Sequence, residues 1–364
     1  MSAGETSIKA LKHRCADAPQ DLDNTLNLIE RYCSLGKFKD ALELCRAAMQ
    51  YHSRAYSFLL VFANVLFRHG DLKEARLVFE RLASLRPDRI EAWNNLGVLE
   101  FSAGDFDAAC KAFDNVLRID SKNAGALCNL GNCHAGKGDA SVAAAYFERA
   151  VDARGDFVDA WYNLGNACIT LRRFGEAKAA FESAVRYDEG FGSAYKNWGV
   201  ACKELGEYDE ALEHFEKAAS LNRDDAGVHA NMSGVYTRMG HHGKALECAK
   251  RAVRLAPGEP LSWDALREAA MALGDGQQYY RAVSAFIGSI NDDGLARSIS
   301  DLRGMGFEQE AEELLKYAVR LNRKGASVDA LPFAESVAPE FGASEMDRQL
   351  YKLFGKKEYA ECAD

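Results

Sequence analysis

The stretch AWNNLGVLEFSAGDFDAACKAF, residues 92–113, returns 68 residues later as AWYNLGNACITLRRFGEAKAAF, residues 160–181. In the second copy Trp161, Leu164, Gly165 and Cys168 fall at i, i+3, i+4 and i+7, which is one stripe of a helix. Phe174, Ala177, Phe181 and Ala184 form a second stripe after a break at Leu171–Arg173. The pattern predicts two helices joined by a tight turn. Glycine and alanine at matched points let the two backbones approach, and a phenylalanine fills the groove between them.

Working outward from Leu22, the chain divides into seven units of 34 residues without insertion: 22–55, 56–89, 90–123, 124–157, 158–191, 192–225 and 226–259. The twentieth position is alanine in every unit: Ala41, Ala75, Ala109, Ala143, Ala177, Ala211 and Ala245. The fifteenth is glycine in six, with Arg172 the exception. Glycine there can take the left-handed conformation that ends a helix. Position 24 is phenylalanine in five units, from Phe79 to Phe215. One such unit has too little apolar surface to fold alone, so the units must stack.

These residues resemble the tetratricopeptide repeat family, whose pattern is W-x2-L-G-x2-Y…A-x3-F…P at period 34. The resemblance implies an all-α fold, a right-handed α-solenoid (superhelix) of helix–turn–helix units, and binding of protein partners. The family's proline near position 32 is present only as Pro87 and Pro257, and position 11 is often not aromatic. After 259 the register weakens. Trp263, Leu266 and Gly274 keep the phase while Arg267 and Tyr279 replace small residues, and Gly306, Ala311, Leu315 and Ala318 recover it. The expected organisation is a cap segment at 1–21 with a short helix from Ser7, regular units over 22–259, degenerate units over 260–325 and an acidic tail over 326–364. The tail holds Pro332 and Pro339 and 8 acidic against 4 basic residues, with a possible helix from Ser344.

The 364 residues carry 45 basic and 54 acidic side chains, a net charge of −9. That balance and the strict period argue against nucleic acid. No run approaches the ~18 apolar residues of a membrane span. The start, MSAGETSIKALKHRC, has no apolar signal core, so a cytoplasmic location is expected. The 10 cysteines, scattered along the chain, read as small buried hydrophobes in a reducing compartment.

Catalytic chemistry is not legible. There is no P-loop, H-E-x-x-H, G-x-S-x-G or paired C-x-x-C. Cys128 and Cys133 stand five apart on a helix and point about 140° away from one another. The expectation is no enzyme, no catalytic residue, no metal and no cofactor.

The one ordered polar feature is asparagine at position 6: Asn95, Asn129, Asn163, Asn197 and Asn231, with Val61 a gap. The resemblance places positions 2, 5, 6, 9, 12 and 13 on the concave surface. Asn64, Asn132 and Asn166 at position 9, with Tyr162 and Lys196 at position 5, join the candidate peptide-binding set. An amide both donates and accepts, so it can pair with a peptide main chain whatever its sequence. The resemblance extends to the repeats of O-linked N-acetylglucosamine transferase, where such a ladder holds polypeptide, without that enzyme's catalytic domain. The alternative role of these asparagines is bonding within the scaffold. The carboxylate clamp of chaperone-tail receptors is not met in any three consecutive units; Lys196 at position 5 is followed by Val200 at 9. The expected function is a non-catalytic scaffold holding a peptide or helical segment of a partner. The alternatives are self-assembly through the tail or end repeats, and regulation of a separate enzyme.

Overall fold

Every unit has a residue at its fifteenth position that must reverse the chain between two helices. In the computed structural model, which describes residues 3–285 and 292–323, that residue is left-handed throughout. Gly36, Gly70, Gly104, Gly138, Gly206 and Gly240 have φ between 69° and 100°, and Arg172 joins them at 59°. Gly274 and Gly306 repeat the conformation further along, at 75° and 86°. The described residues form 19 helices and no strand.

The chain separates into two compact units, Met1–Tyr187 and Asp188–Asp364. In the first, α1 (Ala3–Asp17) precedes five packed pairs: α2 (Leu22–Ser34) with α3 (Phe38–His52), α4 (Tyr56–His69) with α5 (Leu72–Leu85), α6 (Ile90–Ser102) with α7 (Phe106–Ile119), α8 (Ala124–Gly136) with α9 (Ala140–Ala153), and α10 (Val158–Thr170) with α11 (Phe174–Tyr187). In the second, α12 (Gly192–Leu205) pairs with α13 (Tyr208–Leu221), α14 (Ala226–Arg238) with α15 (His242–Leu255), α16 (Pro260–Leu273) with α17 (Gly276–Ala285), and α18 (Asp292–Gly304) with α19 (Glu308–Arg323). Each pair also packs on the next within its unit, which is α-solenoid architecture. The first helix starts at Ala3 rather than Ser7, because nothing between those residues interrupts it; Asp21 then caps α2 through Asn24 N–H. Residues 326–364, with their proposed helix, lie outside the described residues.

The pairs are held by one recurring contact. Phe79, Phe113, Phe147, Phe181 and Phe215 are each no more than 2% exposed. At Gly97, Gly131, Gly165 and Gly199 an added Cβ would lie 2.5–2.7 Å from the ring of the unit's own phenylalanine. The alanines at position 20 are all fully buried.

The left-handed turn also yields a test. Around Gly138 nothing lies within 4 Å of an added Cβ, so a substitution there costs only backbone strain. Gly138→Ala is expected to lower stability by about 1 kcal/mol, read from the midpoint of a urea melt. Arg172 carries the same strain natively, and its guanidinium sits 5.8 Å from the centre of the Phe174 ring, a contact that offsets part of the cost. An unchanged midpoint for Gly138→Ala would show that the turn is not strained for side-chain-bearing residues.

Candidate functional site

Position 6 follows position 4, which is buried or half-buried in every repeat, by two residues, so its side chain leaves the face packed into the repeat. All ten candidate residues lie on the first helix of a pair, and all are half-buried. Half-burial fits a contact surface and a scaffold bond equally, and the hydrogen bonds divide the set.

Asn95 Nδ2 on α6 donates to Asn64 Oδ1 on α4 at 3.1 Å. Asn163 Nδ2 on α10 donates to Asn132 Oδ1 on α8 at the same distance. Both pairs join position 6 of one repeat to position 9 of the repeat before it, 31 residues upstream. Between them, position 9 of the repeat before Asn129 is Val98 rather than asparagine, and the Asn129 side chain has no hydrogen-bond partner among the described residues. The first unit therefore carries two bridged amide pairs with a single amide between them in chain order. In each pair the bond uses one proton of the position-6 amide and one lone pair of the position-9 carbonyl. The position-6 carbonyl and position-9 NH2 group keep capacity for a ligand.

In the second unit the candidates are tied more tightly. Lys196 Nζ pairs with Asp225 at 2.9 Å, and Asp225 also caps α14 through Val228 N–H. Asn231 Nδ2 donates to Gly227 O at 2.9 Å, and its Oδ1 accepts from Lys203 Nζ at 3.2 Å. Asn197 also has a partner, as do Asn166 and Tyr162 on α10 of the first unit, where the Tyr162 ring centre lies 6.0 Å from that of Phe181.

The thiols are placed for packing. Burial pushes Cys45 and Cys133 up to about 12 and Cys128 up to about 11, the last against a weak pull from the Asn163 amide at 3.9 Å. A thiol so protonated is a poor nucleophile. Cys128 and Cys133 serve different surroundings: Cys128 faces Asn163, and Cys133 packs with Cys110. None of the nine cysteines among the described residues is in a disulfide.

Two features escape a reading of the linear sequence. Glu100 at position 11 is only 3% exposed and is paired with Arg76 of the preceding repeat. Cys202, Glu210 and His214 bring one donor atom each within 4.8 Å of the others. The signal for the second was Glu210 and His214 at i and i+4 on α13, with a cysteine at position 11 of the paired helix. No helix, among the described residues, is long and apolar enough to cross a membrane.

The tetratricopeptide repeat family matches the chain over residues 26–90 and 60–124, 135–197, 192–225 and 226–259, together more than half its length. No curated protein matches it. Among solved structures, that of the APC/C hetero-tetramer Cut9-Hcn1 is 19% identical, with a TM-score of 0.52 over 73% of this chain and 52% of that one. At that identity the likeness is one of fold. YrrB, described as a TPR protein with an unusual peptide-binding site, is 25% identical over 51% of this chain and 96% of its own, at a TM-score of 0.47. MamA is 25% identical over 44% of this chain and 95% of its own, at 0.43.

Proposed function

Because the chain belongs to the tetratricopeptide repeat family, we propose that it is a non-catalytic scaffold that holds an extended segment of a protein partner. The observation that carries this reading is the set of amides on α4, α6, α8 and α10: Asn64 bridged to Asn95, Asn132 bridged to Asn163, and Asn129 between them. Each bridge fixes the direction of two amides, leaving a carbonyl on one and an NH2 group on the other for a ligand. A peptide main chain offers the complementary N–H and C=O at a regular interval of ~3.3 Å per residue. Recognition through amides reads the backbone of the partner, so it tolerates varied side chains. Asn197, Asn231, Asn166, Tyr162 and Lys196 are proposed to extend or flank this site, with the engaged Asn231 and Lys196 chiefly orienting neighbouring groups. The likeness to the repeats of O-linked N-acetylglucosamine transferase belongs to this same reading.

The test is affinity capture with the full chain and a variant carrying Asn95→Ala, Asn129→Ala and Asn163→Ala. Partners retained by the wild type are expected to be lost or at least tenfold depleted with the variant, while its far-ultraviolet circular dichroism remains helical. Equal capture by both proteins would sink the amide site.

A further inference from the structure

We propose that Cys202, Glu210 and His214 form a binding site for a divalent cation of the zinc class inside the repeat 192–225. The three residues stand at positions 11, 19 and 23 of that repeat. Cys202 belongs to α12, and Glu210 and His214 are one turn apart on one face of α13. The close packing of the two helices, made possible by Gly199 against Phe215, brings the cysteine opposite that turn.

Distances support coordination. His214 Nε2 lies 3.5 Å from Glu210 Oε1. The edge of a tetrahedron with nitrogen and oxygen ligands at ~2.1 Å is about 3.4 Å. All three donor atoms lie within 4.8 Å of one another, so Sγ needs to move in by no more than about an ångström to complete a face with its bond of ~2.3 Å. That is within the reach of small side-chain rotations.

The donor set selects the ion. Sulfur, imidazole nitrogen and a carboxylate suit zinc and similar d-block cations, whereas calcium and magnesium take oxygen ligands. A thiolate, a carboxylate and a neutral imidazole together carry the two negative charges that balance the ion. The surroundings hold the ligands in place. Cys202 is fully buried. The His214 ring is stacked on Trp198, with centroids 3.8 Å apart and planes 22° apart. Glu210 is the exposed ligand, at 36% against 11% for His214, so the ion enters from its side and a water takes the fourth position there.

The repeat itself supplies a control. The preceding unit has Cys168 and Glu176 at positions 11 and 19 but Ala180 at 23, and no other unit of the seven has all three donor types. A simple i,i+4 ion pair between Glu210 and His214 would need no cysteine opposite.

Cobalt serves as the spectroscopic probe. The full chain, stripped of metal and kept reduced, is titrated with Co2+. One equivalent is expected to produce a thiolate-to-cobalt charge-transfer band and the visible bands of a tetrahedral ion, both discharged by Zn2+. Cys202→Ala abolishes the charge-transfer band, His214→Gln weakens binding at least tenfold, and Cys168→Ala changes neither. Zn2+ also raises the melting temperature of the wild type but not of His214→Gln, through mass action on the folded state. His214→Gln keeps the test decisive if the buried Cys202→Ala variant does not fold. Absence of both cobalt bands and zinc stabilisation in the wild type overturns the proposal. So does a cobalt spectrum of unchanged intensity and affinity in His214→Gln.

Discussion

Gly165→Val is expected to lower the stability of the chain by about 3 kcal/mol, the upper end of the range for overpacking a core. An added Cβ already falls 2.5 Å from the ring of the fully buried Phe181, and valine adds two further carbons to that point. Helix propensity works the other way, because glycine is the poorer helix former by up to about 1 kcal/mol. For Gly165→Ala that gain offsets much of the clash, and the net loss is about 1 kcal/mol. Valine gains less propensity and clashes more, so packing dominates. The chain contains both limits of this exchange. Ala63 stands opposite Phe79, both fully buried, while Ile29 is matched with the smaller Cys45. Phe181→Ala should therefore relieve Gly165→Val, with a coupling of at least about 1 kcal/mol in a double-mutant cycle. Gly234→Ala, mid-helix with open space around it, is the reference and should be neutral or stabilising. Urea melts followed by circular dichroism read all five variants, the double variant included, and strict additivity would refute the Gly–Phe contact as the closing element of each pair.

That contact explains why the fold is legible in sequence. Gly165, Ala177 and Phe181 are local to one repeat, and both helices of a pair are only a tight turn apart. Periodicity therefore exposes them directly. Even the exception, Arg172, adopts the left-handed turn, because the chain reversal is dictated by the packed stripes on either side. The candidate site is less legible because its interactions run between repeats. A column of asparagines at position 6 is visible, but whether each amide is bridged depends on position 9 one repeat earlier: Asn64 and Asn132 complete a pair, and Val98 does not. Glu100 is hidden for the same reason, since Arg76 lies one repeat earlier, and the Cys202, Glu210 and His214 cluster, within one repeat, is hidden because it joins two helices. Their partners lie on a neighbouring helix, at positions where the repeat pattern leads one to expect only packing.

Arg76→Ala is expected to cost about 2–3 kcal/mol near neutral pH, by leaving the Glu100 carboxylate in the core without its counter-charge. Loss of one member of a buried pair typically costs about 3–5 kcal/mol. The lower figure applies because the Arg76 side chain is 42% exposed against 5% for Glu100, so water reaches part of the pair. Glu100→Leu behaves oppositely. It removes the charge that needed a partner, leucine is native and fully buried at this position as Leu66, and Arg76 can hydrate. Its stability should stay within about 1 kcal/mol of wild type or exceed it. The pH dependence separates this account from lost packing of the arginine stem. Burial holds the Glu100 carboxyl above its ordinary value of 4.5, with Arg76 opposing that rise. The folded state thus holds the proton more tightly, and the associated stability is complete below 4.5 and lost as pH rises through the folded value. Without Arg76 the folded value climbs further. Acidification from about pH 7 to about pH 5 should therefore restore more stability to Arg76→Ala than to the Arg76→Ala, Glu100→Leu double variant. If both lose the same stability at both pH values, the arginine acts by packing, and the buried carboxylate is not what it stabilises.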